Sequence, residues 1–293
     1  MKNLFYIVIF FGIICGFFVP YFHVFIPVIP YFIGIMLYLN YLDLTPEWNK
    51  LIRKELIVTV FLSVIFMPLL VYHVLSIGMA DEYRMGLFLT AIAPSGILML
   101  VFAKFVPKKD FNLIISNFLV LQFGIIFYLP LMLEWVIGTT VQIESSRLFL
   151  QTAAIILIPY IANLVSKRVL TEPVLRMIKR TAKGIIPVMV FLIISSSING
   201  VAEEIIWDVS LVRIAVITLS IFLIQGGAAY GAGYFLGDRS IRNTMCLIAS
   251  SRNIQLILGI ALINFPPLVV VPLVFAIFFH HLTNALWLWL FRK

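Results

Sequence analysis

Apolar runs fill this chain and leave little of it for anything else. They fall at about 4–19, 22–41, 55–77, 83–106, 111–137, 147–166, 184–200, 210–236, 241–264 and 267–291. A helix needs about 20 apolar residues to cross the hydrocarbon layer of a bilayer, and most of the ten runs reach that length. The chain is 62% hydrophobic and 12% charged, against roughly 45–50% and 25% for soluble domains. Lipid offers no partner to an unpaired backbone group, which restricts spanning structures to helices and closed barrels. Runs this long and continuous belong to helices. The reading is therefore an all-α polytopic membrane protein with ten transmembrane helices. Cys15 and Cys246 both lie inside apolar runs and read as packing residues, with no disulfide framework. The first run follows Lys2 but has no small-residue cleavage site, so it is expected to be a retained span.

The charges test the count of ten. Short cytoplasmic loops collect Lys and Arg. With both termini in the cytoplasm, all of the 21 basic residues except Arg84, Arg147, Arg213 and Arg252 fall on the cytoplasmic side. An error of one span would scramble that alternation. The expected location is the cytoplasmic (inner) membrane, multi-pass, with Glu203, Glu204 and Asp208 outside. The net charge of +8 serves orientation and contact with the lipid bilayer. It does not point to nucleic acid, because no folded domain displays it. The longest loop, "SKRVLTEPVLRMIKRTAK" at 166–183, is expected to lie along the cytoplasmic surface.

Ten spans invite division into five and five. A shift of 158 residues places Arg84 on Arg242 and Pro94-Ser95 on Arg252-Asn253, and it brings the end of span 4 onto the end of span 9. Because five is odd, the halves, 1–140 and 141–293, would be inverted in the membrane. Inverted repeats with matched interruptions point to a transporter whose site lies between them. In span 4, Pro94 cannot donate an amide and Gly96 follows it, which predicts a break near mid-membrane. In span 9 the polar cluster Ser250–Asn253 predicts the matching break. Two broken helices crossing at the midplane would offer helix N-termini to anions and frayed carbonyls to cations.

Arg252 carries the sharpest signal. A charge at the bilayer centre costs from about 3 to about 15 kcal/mol depending on the method, so it must face protein or a wet cavity. It either binds substrate, takes the place of a coupling ion, or bonds carbonyls that the breaks release. Gln255, three residues on, would share its face if one helical turn joins them. The candidate substrate-binding residues are Pro94, Ser95, Ser116, Asn117, Ser251, Arg252, Asn253, Gln255 and Asn284. Gln122 and Thr283 either line the cavity or bond neighbouring helices. "SSS" at 195–197 and Gly227 with Gly231, four apart, read as aids to close helix contact. His280 and His281 lack any acidic or metal partner at membrane depth. No metal ligand set, cofactor motif or nucleotide site is present, and an enzyme or a primary pump is not expected.

The stretches "AIAPSG" (91–96), "KKDFNL" (108–113) and "ASSRNIQLILGIAL" (249–262) resemble the bile acid:sodium symporter family, here a bacterial member. The arsenite permease and auxin efflux carrier families have related architecture. The resemblance implies a core domain of spans 3–5 and 8–10 with broken crossing helices 4 and 9. Spans 1, 2, 6 and 7 would form a panel, with substrate in the cleft between the two. It also exposes departures. Where sodium-coupled members carry a glutamate four residues before the span 9 glutamine, this chain has Ser251. Where they carry Ser-Asn after the span 4 break, it has Met99 and Leu100. Gln255 alone matches, so the guanidinium of Arg252 would replace bound sodium. The resemblance thus implies a secondary transporter of a small organic anion by alternating access, not coupled to sodium in the usual way. The coupling ion would be a proton or sodium. The alternatives are a sodium symporter with non-standard ligands and a non-transporting membrane receptor on the same fold.

Overall fold

A computed structural model describes residues 2–42, 44, 53–96, 98–138, 144–204 and 208–292. Lys50 and Lys293 of the basic loops, and the 140/141 boundary between the halves, lie outside the described residues. The described chain is helical. Seven helices are long and apolar enough to cross a membrane, as expected of a multi-pass membrane protein. These are α2 (Phe22–Tyr41), α3 (Lys54–Leu75), α6 (Phe111–Val136), α7 (Ser145–Val169), α8 (Glu172–Asn199), α9 (Val209–Leu236) and α12 (Pro267–Leu290). Between them lie α1 (Lys2–Phe18), α4 (Asp81–Ile92), α5 (Leu98–Ala103), α10 (Arg239–Ser250) and α11 (Ile254–Asn264). At 1.5 Å per residue, the 12 residues of α4 and of α10 reach about 18 Å, little more than half of the bilayer core.

The shell of the bundle is apolar, with Phe18, Tyr31, Phe127, Val209 and Phe235 all exposed. These side chains suit lipid. The interior gathers most of the buried polar groups, because lipid would leave them without partners. α1 packs on α8 and α2 on α7, while α10 folds back tightly on α9. The α1–α8 contact is built from small residues. A Cβ at Gly16 would sit 2.7 Å from Ile198 and 2.9 Å from the Ser195 carbonyl. Ser195 donates to the Gly12 carbonyl at 3.1 Å and Asn199 to that of Gly16 at 3.2 Å. Of the serine run, Ser195 makes this close approach, while Ser196 and Ser197 donate to carbonyls of their own helix at Leu192 and Ile193.

Two expectations are corrected. Residues 166–183 do not form a surface loop: α7 runs to Val169, α8 starts at Glu172, and two residues make the turn. Leu175, Ile178, Ala182 and Ile186 recur at helical spacing and cover Leu39 and Leu42 at the end of α2. Lys167 reinforces the joint by donating to the carbonyls of Tyr41 and Leu44 at 3.1 and 3.0 Å. In α9, the glycines that touch neighbours are Gly226 and Gly233, not Gly227 and Gly231. A Cβ at Gly226 would meet the Trp287 indole at 2.6 Å, and one at Gly233 would meet the Arg242 Cα at 2.8 Å. Gly227 and Gly231 face open space. The sequence run is small throughout, so spacing alone could not tell which pair turns inward.

Candidate functional site

α4 stops at Ile92 and α10 at Ser250, and the chain beyond each is extended. The two extended stretches pair as an isolated antiparallel bridge between Ser95 and Arg252. The Gly96 amide donates to the Ser251 carbonyl at 2.8 Å, and the Asn253 amide to the Pro94 carbonyl at 2.7 Å. Glycine is required at 96, because a Cβ there would lie 2.7 Å from the Arg252 carbonyl oxygen. The second break begins one residue later than the polar cluster implied, since Ser250 is still helical. Its extended form also separates Arg252 from Gln255. Asn253 caps α11 by accepting from the Leu256 amide at 3.3 Å. No helical turn therefore joins Arg252 to Gln255, and they do not share a helix face.

A helix end leaves its last carbonyls without intrahelical partners. At α4 these are met by side chains from elsewhere. Gln225 of α9 donates to the Ala91 carbonyl at 3.1 Å, Tyr128 of α6 to that of Ile92 at 3.4 Å, and Arg252 to that of Ala93 at 3.1 Å. The guanidinium also donates to Gln225 Oε1 at 3.2 Å and to Ser63 Oγ at 2.7 Å. It is 1% exposed. Ser63 lies in a π-helical turn of α3, Leu62–Phe66, which ends two residues before Pro68, whose missing amide disturbs the regular ladder. Every oxygen on Arg252 is neutral, and among the described residues no carboxylate pairs with it. The cation sits at the carbonyl end of α4, where the helix dipole favours positive charge.

The α10 end is held by Asn284 of α12. Its Oδ1 accepts from Ser250 Oγ at 3.0 Å and Ser251 Oγ at 2.8 Å, and its Nδ2 donates to the His280 carbonyl at 2.8 Å. Asn253 Nδ2 donates to Gln122 Oε1 of α6 at 3.3 Å. Pro94, Ser95, Ser251, Arg252, Asn253 and Asn284 thus meet at the crossing. Ser116 and Asn117 do not reach it. Ser116 bonds its own helix at Asn112, and Asn117 accepts from Thr59 of α3 at 2.6 Å. Gln255 is the second residue of α11, and no hydrogen bond joins its side-chain amide to the other described residues. Sequence reasoning missed Ser63, Gln225 and Tyr128, because a lone polar residue in an apolar helix carries no spacing signal.

With that geometry in place, the comparison with protein families decides the kinship. The model for the sodium bile acid symporter family matches residues 25–226. The chain belongs to this family. Among curated proteins none matches it. As a member of a symporter family, the protein is a membrane protein of transporter type. The family match ends at Gly226, so α10, α11 and Arg252 lie beyond it.

An ion pair joins the starts of α3 and α6. Arg53, ahead of α3, bonds Asp110 and also approaches Glu55, 3.3 Å away. Asp110 caps α6 through the Leu113 amide at 3.0 Å, and its own amide donates to Thr244 of α10 at 2.9 Å. Partial burial pushes the Asp110 carboxyl up, but the Arg53 guanidinium and the amides of Leu113 and Asn112 together outweigh it. The group therefore sits below its ordinary value.

Proposed function

We propose that this protein is a secondary active transporter that carries a small organic anion across the cytoplasmic membrane by alternating access, without sodium as its obligatory coupling ion. One observation carries the reading. Arg252 lies buried among a backbone carbonyl, an amide oxygen and a hydroxyl, with no carboxylate paired to it among the described residues. Neutral oxygens converging in this way suit a hard cation, and the guanidinium fills that place permanently. A second cation 4 Å away would be repelled by about 4 kcal/mol at an effective dielectric near 20, about a thousandfold in affinity. The same charge, added to the amide end of α11, favours an anion. Asn253 and Gln255, at the start of α11, are the groups proposed to meet it.

The two inverted five-span halves belong to this proposal, and two matched contacts support them. The Arg84 guanidinium stacks on Tyr72 at 4.3 Å, and that of Arg242 on Tyr230 at 5.7 Å. Both members of the second pair lie 158 positions after the first, the same shift that aligns the breaks. The bridge obeys it too. Moving Pro94 by 158 gives Arg252 and moving Ser95 gives Asn253, so the pairing of Pro94 with Asn253 and Ser95 with Arg252 maps onto itself. The packing of α1 with α8 and α2 with α7 fits a panel of spans 1, 2, 6 and 7 beside a core of the rest.

Uptake into proteoliposomes, with sodium replaced by potassium at constant membrane potential, tests the coupling. The expected result is an unchanged rate for the transported anion. Uptake that collapses without sodium overturns the reading in favour of a sodium symporter with unusual ligands, and no uptake of any organic anion overturns transport itself.

A further inference from the structure

Away from the crossing, the boundary end of α9, α10 and α12 encloses a cavity of about 240 Å³, lined by Tyr230, Arg239, Asn243, Trp287, Leu290 and Phe291. This is the end that the charge pattern assigns to the cytoplasm. Asn243 is 1% exposed. Its nitrogen is fixed on the Pro107 carbonyl at 3.0 Å, and its oxygen has no partner among the described residues. Arg239 spends one donor on the Phe291 carbonyl at 3.0 Å, and no carboxylate among the described residues pairs with it. The neighbouring Asp238 is occupied in capping α10 through the amides of Ser240 and Ile241. Arg242 adds a second positive charge, stacked on Tyr230 and Tyr234. The remaining walls are aromatic or aliphatic; Leu290 among them is exposed on the apolar shell, as is Tyr234, one helical turn beyond Tyr230.

We propose that this cavity binds the headgroup of an acidic phospholipid from the adjoining leaflet, with its phosphate on Arg239 and a headgroup hydroxyl donating to Asn243. An arginine with free donors matches a phosphate, and the unpaired amide oxygen calls for a donor, which a glycerol headgroup supplies and a choline headgroup does not. The volume is below that of a pocket for a drug-sized molecule, so the acyl chains lie outside it, along Tyr234 and Leu290. The bound lipid would brace α10 against α9 and α12 at the end opposite Arg252.

The test uses the full chain in detergent, with native mass spectrometry counting bound lipid. Phosphatidylglycerol and phosphatidylcholine of identical chains compete for the protein, and glycerol phosphate serves as the free headgroup. Wild-type protein is expected to retain phosphatidylglycerol preferentially. Arg239→Gln should weaken that retention about tenfold, as should Asn243→Asp, which places a negative charge against the phosphate at nearly constant volume. Both positions lie on α10, but one change removes a charge near its start and the other is isosteric, so a folding defect in one leaves the other to decide. Equal retention of the two lipids overturns the proposal, as does wild-type selectivity in whichever variants fold. Glycerol phosphate that binds as tightly as the lipid and displaces it would assign the cavity to a soluble phosphate ester and overturn the lipid.

Discussion

The two interruptions that cross in this protein are made by different means. After α4 the break is written into the backbone: Pro94 has no amide to donate, and Gly96 lets the segment around Arg252 pass where a Cβ would stand 2.7 Å from the Arg252 carbonyl oxygen. After α10 every residue of the break is a possible helix former, and side chains hold it open. Ser250 and Ser251 lean on Asn284, Asn253 caps α11, and Arg252 reaches back to α4. The first break is local and the second is distributed over α3, α9 and α12. A local break tolerates change around it and fails only where the facing strand leaves no room for a side chain, at Gly96. A distributed break brings polar groups from many helices to one point, as a binding site requires.

The largest effect is expected at the close approach. Gly96→Ala sets a methyl against backbone on the other strand, which cannot rotate away, and overpacking of this kind costs about 3 kcal/mol or more. Purified variant protein should unfold at a much lower temperature and take up no substrate. A wild-type melting temperature and wild-type uptake would mean that the strands do not touch.

Next come Arg252 and Pro94, one from each break. Arg252→Ala leaves the Ala93 carbonyl, Gln225 Oε1 and Ser63 Oγ with one partner fewer, at about 1–3 kcal/mol for each buried group left unpaired. Uptake should be abolished, and Arg252→Lys should restore a fraction of it, because an ammonium keeps the charge but not the planar fork. Pro94→Ala should cost no more than about 1 kcal/mol, since the carbonyl at 94 still receives the Asn253 amide and the Gly96 amide still reaches Ser251. Thermal unfolding and uptake, measured on the same preparations, rank the three. If Pro94→Ala is as damaging as Arg252→Ala, the local break is the one that matters and the distinction between the two collapses.

Both breaks announced themselves in the sequence, for physical reasons. Proline beside glycine in an apolar run has few uses other than ending a helix, and a charge in such a run must have protein around it. The partners of that charge were not legible. Ser63 faces it from a π-helical turn, and Gln225 faces it from the middle of a long apolar helix. Nothing in local spacing marks either, because tertiary packing chooses them. Periodicity misled where it assumed a helix that was absent: Arg252 and Gln255 lie three apart, but residues 251–253 are extended. Charge misled at 166–183, where six basic residues hid the helical spacing of Leu175, Ile178, Ala182 and Ile186.

The smallest effect lies ahead of α6, where Asp110 joins Arg53, the start of α6 and Thr244 of α10. Asp110→Asn keeps an oxygen to cap α6, since asparagine caps about as well as aspartate, and removes the charge that pairs with Arg53. The pair is partly exposed, so the loss should stay below about 1 kcal/mol. Its pH dependence carries the information. The folded carboxyl sits below its ordinary value of 3.8, so the ionised form is favoured by folding. That contribution is complete above 3.8 and is lost as the pH falls through the lower, folded value. Wild-type and Asp110→Asn proteins should therefore differ in melting temperature equally at pH 7 and pH 5, and the gap should close only on acidification below 3.8. A gap that is constant through that range would show that Asp110 acts by its shape at the α6 cap, and that charge plays no part in holding α10 to the crossing.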